Sequence, residues 1–251
     1  MSIPRIVSGV LLAAGCGIVV LGQIHFPGVG SGSSTPKPAI PTPSSPTTPA
    51  ATVQPKTSEP AGTPSFDYYV LSLSWSPAFC ADPANAAASP KECAPGRRAC
   101  FVVHGFWPQA NEGRSPESCE PTKPLAKLVL NMMSPYMPTA SLVQHEWAEH
   151  GTCSGLSAPD YFTLVIQARV AVQLPVQITA LDEPLTESPE QIEGQFAGAN
   201  PSFPAKAFRT ACRGGEFSEM RVCFDKNLKG RECSPSVGEC ASTAERISPP
   251  Q

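Results

Sequence analysis

Nine of the chain's ten cysteines stand between Cys80 and Cys240, and no other feature narrows the possible folds as far. The start of the chain says in which compartment they mature. Arg5 precedes an apolar run from Ile6 to Leu21. At a need of about 20 apolar residues the run is short for a bilayer span, but it suits the apolar part of an export signal. No small-residue cleavage site follows it. "LLAAGC" at Leu11–Cys16 resembles a lipoprotein cleavage site, yet the apolar run continues through "GIVVLG". Residues 1–24 therefore read as a signal peptide or an N-terminal signal anchor, with residues 6–22 in the membrane in the second case. The protein is expected to be exported, to a periplasm or to the outside. Behind such a signal the nine cysteines read as four disulfides and one leftover thiol. No two stand in C-x-x-C spacing and no Cys–His pair recurs, so a structural zinc site is not expected.

Residues 25–65 are dominated by Pro, Ser, Thr and Ala. Such a segment buries too little apolar surface to offset its ordering entropy, and its prolines favour an extended tether. The remaining 186 residues, 66–251, suffice for one domain with its own core. They carry 15 lysines and arginines against 20 acids, a formal charge of −5. This is not the footprint of a tight, non-specific nucleic-acid binder. It leaves room for an enzyme that meets nucleic acid at one small site.

"FDYYVLSLSWSP" and "ACFVVHGFWP" read as strands, the second stopped by Pro108. "PLAKLVLNMM" has leucines near helical spacing. "TASLVQHEWAEHG" reads as a helix capped by Thr139 or Ser141 and stopped at Gly151. "PDYFTLVIQARVAVQL" reads as a helix with Asp160 as cap and Phe162, Val165, Ile166, Val170 and Val172 on its apolar face. "SPEQIEGQF" has the pattern of a capping box, with Ser188 as cap and Gln191 three residues on. "SEMRVCFD" reads as a late strand. Strands first and last with helices between them predict an α+β domain.

The domain's histidines are His104, His145 and His150, all in "HGFWPQ" and "HEWAEHGTC". Trp107 and Trp147 lie in the same two segments. The second segment is close to the zinc-protease sequence H-E-x-x-H, whose histidines stand four apart on one helical face. Here His145 and His150 are five apart, about 140° around a helix of 3.6 residues per turn, so they cannot chelate one ion in that way. Glu146 and His150 do share a face, and so do His145 and Glu149. An acid beside an imidazole favours the imidazolium, which predicts acid–base chemistry.

"HGFWPQ" together with "HEWAEHGTC" resembles the two active-site segments of the ribonuclease T2 family, which run close to H-G-L-W-P and H-E-W-x-K-H-G-T-C. "LSLSWSPAFC" resembles that family's first strand, and "SPESC" the segment after its first motif. Cys212, Cys223, Cys233 and Cys240 are spaced like its C-terminal cysteines. The likeness covers about residues 67 to 240. It implies an α+β fold with an antiparallel sheet flanked by helices, stabilised by disulfides. It also implies metal-independent cleavage of single-stranded RNA through a 2′,3′-cyclic phosphate to 3′-phosphate ends, by a monomer that needs no cofactor. Broad base preference is expected, because stacking tolerates different bases.

Carried over residue by residue, His104 and His150 are the implied acid–base pair, with His150 the first base and His104 the first acid. His145 is the implied phosphate binder, and Glu146 the residue that orients and polarises this group. Trp107 matches a base-stacking position, with core packing as its alternative; Trp147 is expected to be structural. The implied disulfides are Cys80–Cys93, Cys119–Cys153, Cys212–Cys240 and Cys223–Cys233. Cys100 is left as the odd thiol, with Cys93–Cys100 as a rival pairing. Glu149 departs from the family, which usually has Lys there to stabilise the phosphorane. Either Glu149 turns to solvent or pairs with Arg97, Arg98 or Arg114 in an active enzyme, or the chain is a weakened member, an RNA-binding or toxin-like module on the same fold. A disulfide-rich surface protein with accidental motifs is the third class.

Overall fold

The computed structural model describes residues 65–250. The signal or anchor read at 1–24 and, but for Ser65, the tether read at 25–65 lie outside the described residues. The chain enters through β1 (Tyr68–Trp75) and three short helices, α1 (Ser76–Cys80), α2 (Pro83–Ala88) and α3 (Pro90–Cys93). β2 (Phe101–Gln109) follows, then α4 (Lys127–Met133), α5 (Ala140–Glu149), α6 (Ala158–Ala171) and α7 (Val176–Thr179). β3 (Leu185–Glu187) and α8 (Pro189–Ala199) lead into β4 (Phe208–Arg213), β5 (Glu216–Phe224) and β6 (Glu245–Ile247). The fold is α+β, as expected.

One six-stranded sheet runs β2-β1-β5-β6-β3, with β4 also paired to β5. Its main body, β2-β1-β5 with β4, is antiparallel. Alternation along the central strand β1 divides the sheet's faces. Leu71, Leu73 and Trp75 join Phe106, Met220 and Phe224 in the main core, which also takes Tyr161, Phe162 and Val165 of α6 and Phe196 of α8. Burying each such side chain contributes about 1.5–3 kcal/mol. Tyr68 and Val70, on the other face, pack with Cys223, Cys233 and Val237. Ser72 and Ser74 continue that second face, and the polar site is built over them.

Several local expectations change. Pro108 does not stop β2, which continues to Gln109. β2 is an edge strand, where a residue without an N–H is tolerated. Thr139 caps α5, its side chain accepting from the Leu142 N–H. α6 is capped by Ser157 rather than Asp160, which sits in its first turn. The buried face of α6 is Tyr161, Phe162, Val165 and Ala168, continued by Val172 past its end, while Val170 is exposed. α5 ends at Glu149, and Gly151 opens a short 3-10 turn without left-handed backbone. Glycine is needed there for space, because a Cβ would run into the Trp147 ring. The capping box on α8 is formed by Ser188 and Gln191.

Among the described residues Cys80–Cys93, Cys119–Cys153, Cys212–Cys240 and Cys223–Cys233 are joined as disulfides. Each such link is typically worth about 2–4 kcal/mol. Cys119–Cys153 ties the segment before α4 to the turn after α5. Cys100 is not the odd thiol: it too is disulfide-bonded, and not to Cys93.

Candidate active site

Two irregularities in β2 deliver its functional side chains. Ser72 of β1 pairs with Gly105 and Leu73 with Val103, so His104 is an extra residue, a β-bulge. In a regular strand residues three apart face opposite ways. The bulge resets the alternation, so Val103 and Phe106 both enter the core while His104 and Trp107 meet edge to face, their ring centroids 5.3 Å apart. Gly105 then lies under the closest approach of the site. A Cβ on it would collide with the Glu146 carboxylate and the Trp107 indole.

α5 supplies the second half. With about 100° per residue, Val143 and Glu146 share its inner face and are buried, while His145 is exposed. Glu146, only 1% exposed, accepts the Trp107 indole N–H on Oε2 at 2.9 Å. Its Oε1 lies 3.7 Å from His104 Nε2, and its Oε2 lies 4.0 Å from His150 Nε2. One buried carboxylate therefore stands between two imidazoles from different elements. His150 is the C-cap of α5, and its Nδ1 is buried without a hydrogen-bond partner.

Glu219 of β5 completes the cluster, and the sequence reading missed it. β1 lies between β2 and β5, so His104 and Glu219 sit about 10 Å apart at the backbone, two strand spacings. The small Ser72 and Ser74 side chains let them meet above β1. His104 Nδ1 is 2.6 Å from Glu219 Oε1, Ser72 donates to Oε2 at 3.0 Å, and Ser74 Oγ lies 3.5 Å from Oε1. Arg221, two residues on and on the same face, donates to Glu219 at 3.2 Å and lies over Trp107, 5.5 Å from the ring centroid. A usable signal stood in "SEMRVCFD", where Glu219 and Arg221 alternate with the core residues Met220 and Val222.

The two imidazoles are tuned in opposite senses. Burial of His104 disfavours its charge, but the hydrogen bond and charge of Glu219, aided by Glu146, outweigh it and raise the His104 pKa. Burial dominates at His150 and lowers its pKa to about 4, against the opposing pull of Glu117 and Glu149. The expectation that its own helix's acids would favour the His150 imidazolium is thus overturned. Burial alone would raise the Glu219 pKa, yet His104, Arg221 and Ser72 lower it to about 2. Burial raises that of Glu146, against His104 and Trp107.

The structure joins His104, Trp107, Glu146 and His150 in one cluster. His145 stands beside it, where it and His104 line a cleft of about 720 Å³ with Phe79, Glu219 and Arg221. No His145–Glu149 ion pair forms among the described residues, and Glu149 pairs with no arginine but lies partly exposed. Its Oε2 accepts the Ser118 hydroxyl at 2.6 Å, and its carbonyl accepts the Ser118 N–H at 2.7 Å. Arg98 pairs instead with Asp182 and Arg114 with Glu117. Trp147 packs on Tyr161 and Phe162.

Known proteins carry the same arrangement of chain. The model of the Ribonuclease T2 family matches residues 66–233. A protein of Haemophilus influenzae described as "Probable ribonuclease" is 32% identical over 178 residues, covering 66% of this chain and 61% of its own. A ribonuclease of Aeromonas hydrophila is 35% identical over 129 residues, covering 51% and 57%. The chain thus spans about three fifths of the length of these curated relatives. Trichomaglin, described as an S-like ribonuclease, superposes with a TM-score of 0.59 at 20% identity, covering 74% of this chain and 98% of its own. A mutant of RNase MC1 in complex with 5′-UMP gives 0.55 at 22% identity, covering 72% and 97%. At such identities the likeness is one of fold.

Proposed function

Because this chain belongs to the ribonuclease T2 family, we propose that it is an exported endoribonuclease that cleaves single-stranded RNA by transesterification, without a metal ion. The observation that carries this reading is the Glu146 carboxylate set between His104 and His150, one imidazole biased toward its charged form and the other toward its neutral form. General acid–base transfer needs one group of each kind.

His150, neutral above about pH 4, takes the proton of a ribose 2′-hydroxyl, and the oxygen attacks the adjacent phosphorus. The His104 imidazolium gives its Nε2 proton to the departing 5′-oxygen. A 2′,3′-cyclic phosphate remains. In the slower second step the roles reverse: His104 takes a proton from water, His150 returns one to the 2′-oxygen, and a 3′-phosphate is released. His145, exposed beside His104 on the cleft, meets a non-bridging phosphate oxygen. Glu146 orients both imidazoles and offsets the positive charge that moves between them. Trp107 offers a base the part of its indole that Arg221 leaves uncovered.

Related proteins of the same fold are described in complex with 5′-UMP and 5′-AMP, which supports a nucleotide-shaped ligand here. The disulfides support an oxidising destination. No helix among the described residues is long and apolar enough to cross a membrane. Glu149 accepts the Ser118 hydroxyl, and His104, Glu146 and His150 are all in place, which supports the active enzyme over the weakened module. The test is incubation of the purified protein with oligoribonucleotides and a chelator, with mass detection of the ends. Cyclic-phosphate ends that mature to 3′-phosphates are expected. Intact RNA, or cleavage abolished by the chelator, overturns the reading.

A further inference from the structure

We propose that Glu219 is a positioning residue for the acid of this reaction: it holds the His104 ring by Nδ1 and leaves Nε2 as the one nitrogen that can transfer a proton. The inference rests on the proposed ribonuclease reading and adds a residue from the opposite strand of the sheet.

The geometry is that of a built site. The 2.6 Å contact between His104 Nδ1 and Glu219 Oε1 joins residues 115 positions apart across a central strand. A β-bulge on one strand and two serines on the next are needed to make it. Glu219 is in turn fixed. Arg221 donates to its Oε2 through both Nε and Nη2, at 3.2 Å each. The rest of that guanidinium is used up on the Val237 carbonyl at 3.0 Å and on Glu239 at 2.9 Å. With its donors engaged by protein, Arg221 is suited to hold Glu219 and cover Trp107 rather than to grip a phosphate.

Two consequences follow. With Nδ1–H donated to Glu219, the ring cannot present the wrong nitrogen, and the Nε2–H points toward the side of Glu146. A fixed anion behind an imidazole also stabilises its charged form, so the acid stays loaded at higher pH. The charged and titratable groups around His104 are Glu219 and Arg221 from β5, Glu146 and His145 from α5 and, at the end of that helix, His150. Only Glu219 touches Nδ1.

The experiment pairs Glu219→Gln with Ser72→Ala. The first removes the charge and keeps the shape, and the second removes one hydrogen bond from the far oxygen. The pH profile of kcat and KM on a dinucleotide is measured alongside the NMR titration of the His104 ring. In Glu219→Gln, kcat is expected to fall at every pH, by about tenfold or more further at pH 8 than at pH 5, as the alkaline limb moves to lower pH. KM is expected to change little, and the His104 resonance to titrate at lower pH. Ser72→Ala shifts both in the same direction by less. If the Gln variant does not fold, the Ser72→Ala titration decides alone. An unmoved alkaline limb and an unmoved His104 titration in a folded variant overturn the proposal. The titration needs no RNA, so it separates failure of this proposal from failure of the ribonuclease reading, which the parent's own cleavage products decide.

Discussion

His104 and His150 flank one carboxylate, and their surroundings drive them apart. The His104 side chain is 37% exposed, yet its charge is favoured, because Glu219 sits on its Nδ1 behind it. His150 is only 17% exposed, has no partner on Nδ1, and its charge is disfavoured down to about pH 4. Glu146 lies near both and adds to the charge on the His104 side. The larger difference is on the side of the ring away from Glu146: an ion pair on the sheet in one case, a buried nitrogen without a partner on the helix cap in the other. The same residue type becomes acid or base according to what stands behind it, not according to the motif that carries it.

The strongest way to break this comparison is to remove either member. His104→Ala and His150→Ala are each expected to lose about 10²–10⁴-fold in kcat/KM. The double variant should lose little beyond the worse single one, because the two act in one proton circuit. Steady-state cleavage of a dinucleotide checks this, and near-parental turnover in either single variant would show that the pair is not the circuit. Gly105→Ala tests the close approach that brings the halves together. Its Cβ must push Glu146 and Trp107 aside, and a displacement of about 1 Å in such a site costs about 10²-fold. Unchanged activity in a folded Gly105→Ala would mean that the Trp107–Glu146 contact is not needed. Glu149→Gln sharpens the comparison gently. Its charge raises the His150 pKa, so neutralising it moves the acidic limb to lower pH. Weakening the Ser118 hydrogen bond should cost about 0.5–1.5 kcal/mol of stability, read from urea unfolding.

The helix-borne half of the site was legible along the chain, because one helical turn relates Glu146 to His150. The strand-borne half was legible only in part. His104 and Trp107 could be singled out, but their convergence depends on a bulge that the residue pattern of "ACFVVHGFWP" does not announce. Glu219 was invisible for a different reason. Its partner lies across β1, and pairings between strands far apart in sequence are set by tertiary register rather than by local pattern. The strands β3 and β6 escaped because three residues each are too few to show a period. The prediction for the His150 pKa failed because neighbours along the helix were visible and burial was not.

The most direct test of the opposed histidines is the pH dependence of kcat/KM for cyclic-phosphate formation by the unaltered protein with chelator present. The expected curve falls below about pH 4, as His150 takes up a proton, stays level through mildly acidic pH, and falls again above pH 6.5, as His104 loses one. A curve whose acidic limb lies near the ordinary histidine range, at about 6.5, would contradict it, for it would mean that His150 is not held neutral by its burial.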